Sequence, residues 1–184
     1  MSGRDGHLRR GRSLGARRSG PERRNLTPFF AALSFLTIFP AAGTRSPGQQ
    51  DISNARACYP AVGLLLGLLL VGIERGAREI FPVPLTAALL LAVLAAVTRG
   101  LHLDGFMDVC DGLLGGYTAQ RRLEIMRDSH VGAFAVVGAV SLLILKYGAL
   151  VSLLSLGVAG KEWVLLLFPT LSRWSMVVQL GLFP

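Results

Sequence analysis

The stretch "YPAVGLLLGLLLVGIERGAREIFPVPLTAALLLAVLAAVT", residues 59–98, decides the fold. It holds two uncharged apolar runs, 59–73 and 83–98, parted by the charged turn "ERGAREIFP". A helix that crosses a bilayer needs ~20 apolar residues, and each run reaches that length only with its flanks. Together they read as a helical hairpin in a membrane. Within the first run, Gly63 and Gly67 form G-x-x-x-G, a face on which two membrane helices approach closely. Glycine is common in such helices, so this motif alone is weak.

The rest of the chain agrees. Of its 184 residues 52% are hydrophobic, and the mean hydropathy is +0.52. A soluble domain sits near ~45–50% apolar with a charged surface. Residues 28–40 are apolar but too short to span and end at Pro40, which suits an interfacial or re-entrant piece. Residues 131–160 suffice for one span or a tight pair, with Lys146 inside. Residues 163–184 are a further candidate, interrupted by Pro169 and Arg173. In that apolar setting Arg173 requires an anionic or carbonyl partner. The expected fold is an all-α polytopic transmembrane helix bundle.

Charge then orients it. Residues 1–24 hold eight arginines against Asp5 and Glu22, most of the formal +8. Such a balance in a soluble protein points to nucleic acid. Beside membrane helices it reads instead as a basic cytoplasmic tail, residues 1–27, with no nucleic-acid partner. A signal or transit peptide is the weaker reading, since no small-residue cleavage site follows. Residues 28–184 form one membrane-embedded catalytic domain. With the tail inside, the hairpin goes out and returns, and the polar segment 99–130, with four arginines, faces the cytoplasm. Cys58 and Cys110 form no CxxC pair and read as packing residues. His7 and His130 read as solvated.

Segment 99–130 carries the chemistry. Asp104, Asp108 and Asp111 lie at i, i+4, i+7, one stripe of a helix. Unpaired, they repel one another. Mg²⁺ suits such oxygens, since it keeps waters and bridges substrate phosphates. Gly105, Gly112, Gly115, Gly116 and Gly132 leave room for a bulky ligand. "RRLEIMRDSH" (121–130) reads as a second helix with Glu124 and Asp128 on one face. Asp104, Asp108, Asp111 and Asp128 are the catalytic and metal-binding candidates, expected to converge on one site, because clustered membrane-edge carboxylates call for shared compensation. Arg121, Arg122 and Arg127 match phosphate geometry. Glu124 either joins the site or pairs with Arg121 or Arg127. Lys146 either snorkels or reaches a phosphate. His102 is a base, a partner orienting another group, or a surface residue; the second is favoured. His102, Lys146 and Arg173 complete the phosphate-binding candidates.

The blocks "FLTIFP", "YPAVGLLLG", "GLHLDGFMDVCDGL", "LEIMRDSHVGAF" and "LSRW" occur in this order. From about residue 28 to the end, the sequence resembles the cobalamin-5′-phosphate synthases, or adenosylcobinamide-GDP ribazoletransferases. The resemblance implies a multi-pass protein of the cell inner membrane that needs Mg²⁺. It implies transfer of the corrinoid arm of adenosylcobinamide-GDP to α-ribazole or its 5′-phosphate, with release of GMP. Asp128 is then the candidate for polarising the attacking hydroxyl. Two departures stand out: Arg99 where a glycine is common, and His130 where arginine is frequent. Family members also run longer, and this sequence stops inside an apolar stretch. Helices beyond Pro184, or a second copy of the chain, are therefore expected to close the bundle.

Two rivals are weaker. A CDP-alcohol phosphotransferase also uses clustered aspartates, but its "DG..AR" spacing is replaced here by "DGLLGG". A transporter with an acidic relay would bury carboxylates deep in its spans, whereas these sit in a polar, glycine-rich segment.

Overall fold

A computed structural model describes residues 28–40, 49–157 and 159–182; the basic tail, with His7, lies outside the described residues. All regular structure among the described residues is helical. The elements are α1 (Pro28–Leu36), α2 (Gln49–Asn54), a short 3-10 turn at Arg56–Cys58, α3 (Tyr59–Arg78) and α4 (Val83–Val97). They continue as α5 (Leu101–Gly115), α6 (Ala119–Arg127), α7 (Ala133–Ser155) and α8 (Lys161–Leu182).

The helices α3, α7 and α8 are long and apolar enough to cross a membrane. The run 83–98 is not a full span by itself. Helix α4 has 15 residues, about 22 Å at 1.5 Å per residue, against a hydrocarbon core of ~30 Å. It continues into α5 only through a bend of 88°. That bend is built from two left-handed residues, Arg99 at φ 54° and Gly100 at φ 65°. Gly100 N–H returns to Ala95 O at 2.8 Å, and Gly100 O accepts from Asp104 N at 2.8 Å, closing α4 and opening α5. Glycine takes such a φ freely; arginine does not. The unusual residue Arg99 is thus the strained half of the corner.

Packing follows small residues. Helices α3 and α8 run antiparallel, and Gly63 and Gly67 make the contact. A Cβ on Gly63 would lie 2.6 Å from Pro169 O, and one on Gly67 2.5 Å from Leu166 O. The weak G-x-x-x-G motif is therefore a real crossing face. Helix α8 continues through Pro169 and Arg173 instead of breaking there. Thr170 Oγ1 donates to Leu166 O at 2.8 Å beside the proline, while the carbonyl that loses its amide partner is that of Leu165. Segment 131–160 likewise forms one helix and not a pair.

The two ends of the bundle differ. At one end Lys161 Nζ meets the buried Glu74 carboxylate at 2.7 Å, and Arg78 caps Leu154 O at 2.9 Å. At the other, α1 packs on the start of α3 through Ala31, Ala32, Leu36 and Val62, and Ile38 N bonds Val97 O at 2.8 Å. Helices α5 and α6 lie at this second end. Outward residues of α7 such as Ile144 (63% exposed) and Leu145 (71%) would be costly in water and suit lipid tails.

Candidate active site

Helix α5 carries Asp104, Asp108 and Asp111 on one stripe, but they do not share one environment. Asp111 is buried, 9% exposed. Its Oδ2 accepts from Gly132 N at 2.7 Å and its Oδ1 from Ala135 N at 2.8 Å. It caps the start of α7 from another helix, where the amides lack partners and the dipole favours a negative charge. Gly132 is needed for this approach: a Cβ there would sit 2.5 Å from Asp111 Oδ1. Gly132 therefore makes room for a carboxylate of the chain itself.

Asp104 is exposed and Asp108 half-buried. One turn apart, they face outward without a hydrogen bond or ion pair among the described residues. Gly105 beside them is open, with nothing within 4 Å of a built Cβ. Gly112 and Gly116 have another use. Their would-be Cβ atoms meet Met126 Cγ at 2.5 Å and Arg122 Cγ at 2.7 Å, so these glycines seat α6 against α5.

Helix α6 starts at Thr118, whose hydroxyl accepts from Arg121 N at 3.2 Å. Arg121 pairs with Glu124 at 3.0 Å on the exposed face, so Glu124 takes the ion-pair reading. Arg122 Nε donates to Gly116 O at 2.8 Å and ties the two helices. Arg127 is exposed in the last turn. Asp128 ends the helix in an extended conformation (φ −76°, ψ 131°), so it does not continue the face of Glu124. Its Oδ1 accepts from His130 N at 3.1 Å and Nδ1 at 2.6 Å. These hydrogen bonds hold the Asp128 carboxyl below the usual carboxylate range and raise His130 above the usual imidazole value. His130 is solvated, as expected, yet partnered.

The four aspartates are not gathered around one point. Among the described residues no three His, Cys, Asp or Glu side chains stand close enough to hold a metal ion. Asp111 is spent on α7 and Asp128 on His130. Asp111 nevertheless anchors Gly132, four residues beyond Asp128, so it positions the loop that carries Asp128.

The six phosphate-binding candidates divide in two. Arg121, Arg122 and Arg127 lie on α6. His102, Lys146 and Arg173 line a separate cavity of about 90 Å³ inside the bundle. His102 is two residues before Asp104, roughly 200° around the helix, so the cavity lies behind the aspartate stripe. His102 Nε2 meets Met176 Sδ at 3.2 Å.

This arrangement can now be set beside known proteins. The pattern of the family "Cobalamin-5-phosphate synthase" matches residues 28–184. The chain belongs to this family. An adenosylcobinamide-GDP ribazoletransferase of Desulfitobacterium hafniense is 40% identical over 160 residues, 87% of this chain and 63% of the relative. Those of Geotalea daltonii and Pseudomonas paraeruginosa are 43% and 41% identical, over 81% and 84% of this chain and 59% and 62% of theirs. The chain thus spans about three fifths of the length of these curated relatives. No solved structure matches it. Within this family chain, α3, α7 and α8 are the helices long and apolar enough to cross a membrane.

Sequence reasoning missed the capping role of Asp111. A helix start at "VGAF" without its own side-chain cap was the available sign, since buried amides at a helix end need a partner.

Proposed function

We propose that this chain forms part of an adenosylcobinamide-GDP ribazoletransferase. It joins adenosylcobinamide-GDP to α-ribazole or its 5′-phosphate, giving adenosylcobalamin or its 5′-phosphate and GMP. A ribose hydroxyl attacks the phosphorus bearing the corrinoid arm, the bond to the GMP oxygen breaks, and the hydroxyl proton leaves to a base. The observation that carries this reading is the pair Asp104 and Asp108, uncompensated one turn apart on the open face of α5, beside an arginine-bearing helix.

Two free carboxylates fit Mg²⁺, which is held by one or two carboxylates, waters and substrate phosphates more often than by a full protein cage. When bound, it neutralises charge on the diphosphate. Asp104 and Asp108 would hold it. Arg121 and Arg127 would meet the phosphate oxygens of the leaving GMP, and Arg122 would fix α6 against α5. Asp128 would polarise the attacking hydroxyl by accepting its hydrogen bond, and Asp111 would hold its loop. The site then faces the cytoplasm, on the inner membrane, where nucleotides are at hand.

The test is GMP release by the purified membrane protein from adenosylcobinamide-GDP and α-ribazole, with and without Mg²⁺. Mg²⁺-dependent GMP release that Asp108→Asn abolishes is expected. Turnover of a CDP-alcohol in its place would overturn the assignment.

A further inference from the structure

We propose that the cavity between α4, α5, α7 and α8 is a metal-free binding site for an amphiphilic phosphate ester. Its phosphate sits on Arg173, Lys146 and His102, and its apolar body lies in the leucine-lined chamber next to them.

The electrostatics come first. Arg173 is 4% exposed, and its Nε is buried without a hydrogen-bond partner. His102 Nδ1, on the same wall, is buried and unpartnered as well. Lys146 is the third basic group of that wall, half-buried with its Nζ 5.9 Å from the Phe168 ring centre. Among the described residues no carboxylate lines the cavity. Buried polar atoms left unpaired cost free energy, and a buried charge costs more. The unpaired Arg173 Nε beside a lysine, on a wall with no carboxylate among the described residues, describes a receptor for an anion; His102 joins it as the imidazolium, because Nε2 already faces the Met176 sulfur and a neutral Nδ1 only accepts. The first turn of α5 adds to it, because Gly100, His102 and Leu103 lie on the same wall and a helix start attracts negative charge. The arginine fork selects a tetrahedral oxyanion over a halide.

The shape identifies the rest of the ligand. A second cavity of about 310 Å³ adjoins the first, lined by Leu70, Leu90, Leu150, Leu153 and Leu165. Leu91, Leu94, Lys146 and Phe168 border both, so Lys146 stands where the charged chamber gives way to the apolar one. A free phosphate would leave the larger chamber unused. An ester with an apolar body fills both.

This phosphate is not the diphosphate proposed for the aspartate stripe. His102 and Asp104 point to opposite sides of α5, and a helix with its side chains is ~10 Å thick. A compact diphosphate does not reach around it. Two sources share the required chemistry: α-ribazole 5′-phosphate, a benzimidazole on a phosphorylated ribose, and a membrane phospholipid. Naming the first rests on the proposed function; the site itself does not.

The experiment measures binding without turnover. Equilibrium binding of α-ribazole 5′-phosphate and of α-ribazole is compared on delipidated protein in detergent with EDTA. The phosphorylated form is expected to bind about tenfold tighter or more, as one charge-assisted contact of ~1.4 kcal/mol implies. Lys146→Met and Arg173→Gln should abolish that preference, and Lys146→Met keeps the test open if Arg173→Gln fails to fold. Native mass spectrometry of protein taken from phosphatidylglycerol vesicles reads the other source. A retained lipid, lost in the same variants and undisplaced by α-ribazole 5′-phosphate, supports the site with a lipid occupant. No preference and no retained lipid overturns the proposal, as does a preference that needs Mg²⁺ and survives Lys146→Met. Loss of GMP release with binding intact would sink the proposed reaction and leave this site standing.

Discussion

Replacing Asp111 by asparagine separates a structural carboxylate from a metal ligand. The wild-type side chain is buried and accepts two backbone amides, at 2.7 and 2.8 Å. Asparagine matches its shape but offers one acceptor oxygen, so one of the two amides meets an NH₂ group. A hydrogen bond to a charged group contributes about 1.5–3 kcal/mol. A charge at a partly buried helix end contributes up to ~2 kcal/mol. These overlap, so the expected loss is about 2–4 kcal/mol. For a domain of this size each kcal/mol moves Tm by roughly 2–4 °C, giving a drop of about 4–16 °C. The assay is intrinsic-fluorescence melting in detergent with EDTA, so that no metal contributes. Asp108→Asn is the control, since Asp108 has no partner to lose and sits beside a like charge; its Tm should stay within about 1 °C. If Asp111→Asn melts with the wild type in EDTA and loses only a Mg²⁺-dependent rise in Tm, the capping argument fails and Asp111 is a ligand.

Other outcomes follow from the same geometry. Asp108→Asn should keep the fold and lose Mg²⁺-dependent GMP release, read as product per hour at saturating Mg²⁺; wild-type release would contradict its role. Gly67→Leu should cost about 3 kcal/mol or more, because the new side chain meets backbone of α8 that cannot step aside; a melt and a size-exclusion profile read it. Arg99→Gly should raise Tm slightly, relieving a left-handed strain of about 1 kcal/mol. The His130 imidazole should titrate above 6.5 by NMR and fall back toward it in Asp128→Asn. The sign is definite: the His130 contribution is full below 6.5 and fades as pH rises through its raised value. The Asp128 contribution is full above 3.8 and fades as pH falls through its lowered value. The pair therefore holds best between these limits.

Hydrophobic runs and glycine spacing made most of the bundle legible. Residues 59–78, 133–155 and 161–182 are apolar along nearly their whole length, and no tertiary fact is needed to place such a helix in lipid. The corner at Arg99 and Gly100 was hidden because its signal is a backbone angle, and arginine does not advertise a positive φ. The continuity of α8 was hidden because Pro169 normally breaks a helix, and the close packing of its backbone on Gly63 of α3 is not visible in the sequence. The stripe of Asp104, Asp108 and Asp111 was read correctly as a period. A period says which residues share a face and not what that face touches. The amides of Gly132 and Ala135, more than twenty residues away in sequence, turn one of the three into a cap. The same limit explains Gly112 and Gly116, whose neighbours lie on α6 and not on a ligand.

The placement of α5 ties these parts into one argument. An unbroken helix through residue 100 would carry Asp104 and Asp108 straight on along the axis of α4. The 88° turn takes α5 out of that axis. It leaves one face for the open carboxylates and the opposite face for His102 against α8. Asp111, at the far end of the same stripe, fixes where α7 begins and so where Asp128 stands. A strained corner and a buried cap thus hold one short helix between two chemically different surfaces, acidic in front and basic behind.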